Sequence, residues 1–312
     1  MRILISGGAG FIGSHAADFM RHDGHSVLVL DNFSTGSMKN IEHFLAKGGH
    51  YSQADVRLHK GDVAILQTVD EVFRDFKPET VVHLAAQPAI STSLENPVLD
   101  LETNGIGTLN MLLAARKFGV KRFIFSSTSA VYRESRYFKT REDTPLEPTS
   151  PYGISKLAAE TYVRLMFPGA VILRFGNVYG PRQVPLGENQ LIPRIIRHFL
   201  HGDKFFINGD GNQKRDFVYV SDVVYAISCS LFGVPGTYNI ASGKGTSVNK
   251  VSRIMETYFG VEGYKWDHTG TNDPRRYVCQ EVIAARKGLG YTPKVNIFDG
   301  IGRTIDWWKR QK

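Results

Sequence analysis

The sequence predicts an α/β protein, a doubly wound parallel sheet with helices on both faces, followed by a smaller mixed α/β region. Strand and helix patterns alternate through the first half of the 312 residues, which is typical of parallel strands joined by helical crossovers. Glycines cluster where the first strand meets the first helix. After Asn177 the segments become shorter and rich in glycine and proline, which indicates the second region.

The first thirty-one residues predict a dinucleotide site. A short apolar strand runs through residues 2–6 and leads into the glycine-rich turn of residues 7–13 and an apolar helical pattern. A second apolar strand, residues 26–30, ends on Asp31. In such Rossmann-type units the glycines allow a tight turn and close approach to a pyrophosphate, which the helix N-terminus binds. Asp31 follows Gly13 by eighteen residues, where a carboxylate meets the adenosine ribose.

The rest of the first half continues the alternation. Strands are predicted at residues 54–60, 80–84, 121–125 and 171–175, and helices at residues 64–76, 104–118 and 152–166. Ligands of such sheets bind beyond the carboxyl ends of the strands, where Asp62, residues 85–87 and residues 126–128 fall. We expect a dinucleotide-binding domain at 1–176, to which 217–232 return, and a substrate-binding region at 177–312.

Composition argues against several classes of protein. The net charge is +8, but the basic residues are scattered rather than gathered in one stripe, so we expect no nucleic-acid partner. Apolar runs are too short for a membrane span, and the first strand begins at residue 2, which predicts no membrane partner and no signal peptide. Cys229 and Cys279 lack metal-ligand spacing. We therefore expect a cytoplasmic protein without a metal or a disulfide.

A second motif predicts acid–base chemistry. Tyr152 and Lys156 are four residues apart in a helical pattern and so share one helix face. An ammonium beside a phenol favours the phenolate, which predicts a lowered pKa for Tyr152. Alone, this spacing is common and describes many surface pairs. Because a strand ending on Thr128 precedes it, the three side chains predict a centre for carbonyl/alcohol redox chemistry.

Taken together, the ordered motifs resemble the extended short-chain dehydrogenases/reductases of the nucleotide-sugar epimerase and dehydratase group. The resemblance covers essentially the whole chain. The matching segments are residues 7–13, 31–32, 62–63, 83–87, 104, 126–128, 131–132, 152–156, 174–181 and 209–220.

The resemblance implies NAD as the cofactor and assigns most of its binding residues. The implied cofactor-binding residues are Gly7, Gly10, Phe11, Ile12, Gly13, Asp31, Asn32, Thr35, Gly36, Asp62, Val63, Ala85, Ala86, Gln87, Asn104, Tyr152 and Lys156. The carboxylate of Asp31 would repel a 2′-phosphate, and no arginine adjoins it, so we expect NAD in preference to NADP.

For the substrate, the resemblance implies a nucleotide sugar. Thr128, Tyr152 and Lys156 would be catalytic, and the implied substrate-binding residues are Thr128, Asn177, Arg215, Arg275 and Arg276. The resemblance also suggests a homodimer through the helices around residues 104–118 and 152–166.

The reaction within the group is less sharply predicted. Dehydratases and decarboxylases of the group carry an Asp-Glu pair or a glutamate after the catalytic threonine, whereas this chain has Ser129 and Ala130. That favours epimerisation at C4 of a UDP-sugar (glucose/galactose or the N-acetyl forms) through a transient 4-keto sugar. Residues 273–278 look closer to the dehydratase and decarboxylase versions of this segment, so both of those reactions remain alternatives. A non-catalytic NAD-binding protein is a further alternative. Arg133, where the group usually has glycine, leaves the sugar undetermined.

Overall fold

A seven-stranded parallel sheet forms the centre of the molecule. We describe it from a computed structural model, over residues 1–45, 56–133, 139–185, 190–270 and 277–311. The strands are β1 (Arg2–Ser6), β2 (Ser26–Asp31), β3 (Val56–Lys60), β4 (Thr80–His83), β5 (Arg122–Thr128), β6 (Val171–Phe175), β7 (Asn177–Tyr179), β8 (Ile207–Asn208), β9 (Lys214–Tyr219), β10 (Gly236–Ile240), β11 (Gly245–Ser247) and β12 (His268–Thr269).

Helices cover both faces of this sheet and build most of the second region. They are α1 (Phe11–His22), α2 (Leu66–Phe76), α3 (Ile90–Glu95), α4 (Pro97–Leu101), α5 (Gly107–Lys117), α6 (Pro151–Met166), α7 (Leu191–His201), α8 (Val220–Cys229), α9 (Val248–Phe259), α10 (Ile283–Leu289) and α11 (Ile297–Arg310). Short 3-10 turns lie at Met38–Asn40, Glu42–Phe44 and Ser129–Val131, and a π-helical turn at Glu102–Ile106.

The strand order confirms the predicted fold class. Across the sheet the order is β10-β6-β5-β4-β1-β2-β3, with every pair parallel. Hydrophobic side chains of β1 alternate between two separate clusters, with Ile3 and Ile5 in one and Leu4 in the other. Continuous apolar strands are expected when helices cover both faces of a parallel sheet. The carboxyl ends of the strands therefore form one edge where ligands bind.

Strand β10 was not predicted from the sequence. It pairs with β6 as the sheet's edge strand, and α8 before it contributes Val223 and Ile227 to the cluster that holds Ala16 and Ala17 of α1. The chain thus returns to the sheet after crossing into the second region. The division into residues 1–176 and 177–312 remains a proposal.

The predicted helix over residues 104–118 is present, with a π-helical rather than an α-helical first turn. Glu102–Ile106 forms a π-helical turn, and α5 begins only at Gly107. Asn104 lies in this turn, and its buried side chain hydrogen-bonds to Gln87 and Ser155 on neighbouring segments. These bonds tie the turn to the loop after β4 and to α6.

The second region is built around two small sheets. Strands β11, β9 and β7 form one, and β12 with β8 forms the other. Helices α7, α9 and α11 pack there around a separate apolar cluster that includes Ile195, Met255 and Ile301. In the described part of the chain no helix is long and apolar enough to cross a membrane, and no group of three His, Cys, Asp or Glu side chains could hold a metal ion.

A neutral histidine lies inside the sheet. His83 ends β4 and is fully buried, with Nδ1 2.6 Å from Ser6 Oγ and Nε2 3.0 Å from Thr108 Oγ1. The Thr108 hydroxyl donates to the carbonyl oxygen of Asn104 at 2.6 Å, so Nε2 carries the proton and Nδ1 accepts from Ser6. Burial lowers the pKa of His83 to about 3, with the nearby Lys156 charge acting in the same direction.

This pKa predicts a stability loss in acid. The unfolded chain takes up the His83 proton near pH 6.5 and the folded chain only near pH 3, so stability falls as pH drops between those values. His83→Gln should be less stable than the unmodified chain at pH 7. As pH falls, its free energy of unfolding should decrease less steeply, with a slope smaller by up to about 1.4 kcal/mol per pH unit. Urea unfolding from pH 7 to pH 4 measures this slope. His22→Gln, at the exposed end of α1, is the control, and an unchanged slope in His83→Gln would contradict the assignment.

Candidate active site

A cavity of about 540 Å³ opens at the carboxyl edge of the sheet, beyond β1, β2 and β4. It contains most of the residues predicted to bind a dinucleotide. The predicted residues that line it are Gly7, Gly10, Phe11, Ile12, Gly13, Asp31, Asn32, Thr35, Asp62, Val63, Ala85, Ala86, Tyr152 and Lys156.

Two glycines allow α1 to approach the end of β1. Gly7 has φ +71°, and a Cβ there would lie 2.7 Å from the Ala85 nitrogen. A Cβ on Gly13 would lie 2.1 Å from the Gly7 carbonyl oxygen. No side chain caps α1, and its first turn contains no acidic residue. The amides of that turn, which have no partner within the helix, are therefore available to an anion such as a pyrophosphate.

Backbone amides orient the Asp31 carboxylate at the end of β2. Oδ2 accepts from the Ala9 amide and Oδ1 from the Phe33 amide, each at 2.8 Å. Burial raises the pKa of Asp31, and these backbone hydrogen bonds oppose the rise. Gly36 lies behind the carboxylate, since a Cβ there would be 2.8 Å from Oδ1. A backbone hydrogen bond from Gly10 also contributes to the carboxylate, whose two oxygens offer about four acceptor positions, enough to accept from a ribose hydroxyl as well.

On the adjoining wall, Asn32 donates to Asp62 Oδ2 at 2.8 Å, and Asp62 Oδ1 accepts from the Ala64 amide at 2.8 Å. Two predicted cofactor residues lie behind the wall instead. The Gln87 amide donates to Asn104 Oδ1 at 2.9 Å, and Asn104 Nδ2 donates back to the Gln87 carbonyl at 3.2 Å. Neither side chain lines the cavity, so both shape the loop after β4 that carries Ala85 and Ala86.

The three predicted catalytic residues come together where this cavity meets a second one. The second cavity has a volume of about 380 Å³ and is lined by Thr128, and Tyr152 lines both cavities. Tyr152 and Lys156 lie on the first turns of α6, which Ser150 caps by accepting from the Gly153 amide at 3.2 Å. Thr128 ends β5 and hydrogen-bonds the Tyr152 phenol.

The predicted lowering of the Tyr152 pKa is wrong for this structure. Burial raises the pKa of Tyr152 to about 12, and the hydrogen bond from Thr128 opposes that rise. Burial likewise lowers the pKa of Lys156 to about 7, against the negative charges of Asp100 and Glu160. Tyr152 is half-buried and forms part of the wall of both cavities. The four-residue spacing predicts attraction between the Tyr152 phenolate and the Lys156 ammonium, but burial makes each charged form more costly, and this desolvation is the larger effect.

The second cavity holds the predicted substrate residues that the structure describes. Asn177, at the start of β7, and Arg215, on β9, both line it. Arg275 and Arg276 lie outside the described residues. Ser129 and Ala130 line the wall directly after Thr128. Among the described lining residues there is no Asp, Glu, His or Cys.

Several lining residues were missed by sequence reasoning. Lys39, Asn40, His43, Arg182 and Trp307 also line the first cavity, and Arg194 and Phe205 line the second. Arg182 directly follows the matching segment at residues 174–181, and that adjacency was the available signal. The others come from distant segments that only the fold brings to the site. Arg133, noted above, and Gln213, within the matching segment 209–220, line the second cavity as well.

Comparison with known proteins agrees with this geometry. A family described as NAD-dependent epimerase/dehydratase matches residues 3–241. A putative UDP-glucose 4-epimerase of Methanocaldococcus jannaschii is 37% identical, with 98% of each chain covered. A dTDP-D-glucose 4,6-dehydratase of Bos taurus is 35% identical over 99% of this chain and 88% of its own. The crystal structure of a UDP-glucose 4-epimerase of Thermotoga maritima with UDP-glucose has a TM-score of 0.91 and 34% identity, covering 100% of this chain and 99% of that one.

The environment of Asp31 predicts a cofactor preference. NAD should bind at least roughly tenfold more tightly than NADP, because a 2′-phosphate would meet the carboxylate of Asp31. Asp31→Asn should reduce the difference in affinity between NAD and NADP. Isothermal titration calorimetry with both cofactors measures it, and Asp23→Asn, exposed after the end of α1, is the control. Equal affinities in the unmodified chain would contradict the role of Asp31.

The position of Tyr152 predicts a loss of turnover without a loss of binding. Tyr152→Phe removes the proton-transfer group but keeps the ring that forms the wall of both cavities, so turnover should fall by roughly 10²–10⁴ while cofactor and nucleotide-sugar affinities stay close to those of the unmodified chain. Steady-state kinetics and calorimetry separate the two effects. Tyr162→Phe, exposed on the same helix, should be neutral. A fall below tenfold in Tyr152→Phe would mean that another group takes the proton.

Proposed function

The chain belongs to the NAD-dependent epimerase/dehydratase family, and from that premise we propose that it is a nucleotide-sugar 4-epimerase. Its substrate pair would be UDP-glucose and UDP-galactose, or their N-acetyl forms. The observation that carries the proposal is the wall beside Thr128, where Ser129 and Ala130 are present and the described lining residues include no carboxylate. Neither residue can move protons at C5 and C6, as dehydration requires.

The residues of the first cavity fit NAD. The turn at Gly7 and Gly13 excludes side chains where a pyrophosphate would approach, and the Asp31 carboxylate faces the position of the ribose. Lys156 would bind the nicotinamide ribose. Bound NAD⁺ would supply a hydride acceptor and a positive charge beside the phenol.

The chain's own residues would manage the proton. Tyr152 would take the proton of the C4 hydroxyl as hydride leaves C4, and Thr128 would hydrogen-bond the same oxygen as its charge develops. Because burial raises the pKa of Tyr152, forming the phenolate requires positive charge nearby, which Lys156 provides when protonated. Returning hydride to the opposite face requires the 4-keto sugar to turn over, and the small side chains of Ser129 and Ala130 leave space for that motion.

A 4,6-dehydratase or a decarboxylase of the same family is the second candidate. Residues 273–278 favoured it in the sequence, and Arg275 and Arg276 lie outside the described residues. The dTDP-D-glucose 4,6-dehydratase relative, 35% identical to this chain, also supports this alternative. The lining of the second cavity supports the epimerase more strongly, because residues there carry the chemistry while the arginines would hold phosphate.

We also propose that the enzyme works in the cytoplasm as a homodimer. The helices expected at the interface, around residues 104–118 and 152–166, carry exposed apolar side chains: Ile106, Leu113, Ile154, Tyr162 and Leu165. Burying them against a second copy would remove apolar surface from water.

The epimerase proposal predicts the fate of a deuterium label. With substrate deuterated at C4, the product should have the substrate's mass and carry the label at C4, because oxidation and reduction share one bound nicotinamide. No cofactor beyond the bound NAD should be consumed. Mass spectrometry and NMR of the product measure this, and Tyr152→Phe serves as the inactive control. Loss of one water with deuterium at C6, or release of carbon dioxide, would assign the chain to the other branches.

A further inference from the structure

A carboxylate outside both cavities lies behind the catalytic helix. Asp100, on α4, has no exposed surface. Its Oδ1 accepts from Gln87 Nε2 at 2.8 Å and from Asn104 Nδ2 at 3.1 Å, and its Oδ2 accepts a short hydrogen bond from the Ser155 hydroxyl. An ionised carboxylate only accepts hydrogen bonds, and each of these three groups can donate one.

These bonds join three segments around the site. Gln87 belongs to the loop after β4 that carries Ala85 and Ala86, Asn104 lies in the π-helical turn, and Ser155 lies on α6 between Tyr152 and Lys156. Because Ser155 adjoins Lys156 in the chain, Asp100 anchors the helix turn that presents the ammonium.

Asp100 is the main negative charge that acts on Lys156, because the other nearby carboxylate, Glu160, is paired with two arginines. Lys156 is 2% exposed, and its Nζ lies 4.3 Å from the centre of the Phe125 ring. Glu160 on α6 is engaged by Arg174, at 2.8 Å and 3.2 Å, and by Arg164 at 3.3 Å.

The other titratable groups near Lys156 carry no negative charge at neutral pH. His83 on β4 and Tyr152 on α6 have pKa values of about 3 and about 12 and are therefore neutral. A buried cation without a compensating charge is costly.

We propose that Asp100 is a positioning residue that holds the first turns of α6 in place and supplies a buried negative charge that favours the protonated form of Lys156. The role in catalysis rests on the proposed function of Lys156, but the electrostatic pairing does not. Two observations support the pairing: the hydrogen bonds that fix the carboxylate beside α6, and the pKa of Lys156, which burial lowers to about 7 with Asp100 as the first opposing charge.

The test is a direct titration of Lys156 in the full-length protein. NMR of lysine labelled with ¹³C at Cε, assigned with Lys156→Met, reports its midpoint with and without added NAD. Asp100→Asn keeps the shape but removes the charge, and should lower the midpoint by about one pH unit or more. Ser155→Ala removes one hydrogen bond but keeps the charge, and should shift the midpoint far less. An unchanged midpoint in Asp100→Asn would overturn the proposal, whether or not the protein is an epimerase.

Two further measurements complete the design. If turnover is measurable, Asp100→Asn should move its alkaline limb to lower pH by the same amount, whereas a purely structural role would lower turnover equally at every pH. If Asp100→Asn does not fold, the double variant Asp100→Asn/Lys156→Met decides. Restored folding supports the pairing because neither charge remains buried alone, and continued failure contradicts it.

Discussion

Close backbone contact between β1 and α1 is the constraint on which the site depends. With a Cβ at Gly13 only 2.1 Å from the Gly7 carbonyl oxygen, any side chain there would push the helix away from the strand. The same contact points the amides of the first helical turn at the cavity and brings Ala9 within 2.8 Å of Asp31. The proposed pyrophosphate site and ribose site would thus be consequences of one backbone geometry.

The site also depends on a group of ionisable side chains whose charged forms are disfavoured by burial. The fold encloses a phenol, an ammonium and a carboxylate within the first turns of α6 and the segments behind them. Each charged form is costly alone, and the protein lowers the cost with hydrogen bonds from Thr128, Ser155, Gln87 and Asn104. The protonation states at this centre are therefore properties of the whole cluster rather than of single residues.

Much of the fold was predictable, because buried parallel strands read as continuous apolar runs and glycines mark the turn that follows β1. The parts that were missed depend on three-dimensional contacts. In the π-helical turn Asn104 bonds to Gln87 and Ser155, which are distant in the sequence, and β10 joins the sheet only after the chain has crossed the second region. The pKa of Tyr152 was predicted in the wrong direction because burial cannot be read from a four-residue spacing.

The two cavities share Tyr152 but draw most of their remaining walls from different parts of the chain. Backbone amides and glycines form much of the cofactor side and tolerate little change. Side chains from β7, β9 and α7 form much of the other side, and these elements lie outside the seven-stranded sheet. If the proposed function holds, such an arrangement would let a lineage acquire new sugar preferences by substitution on one wall while the proposed redox half is inherited intact.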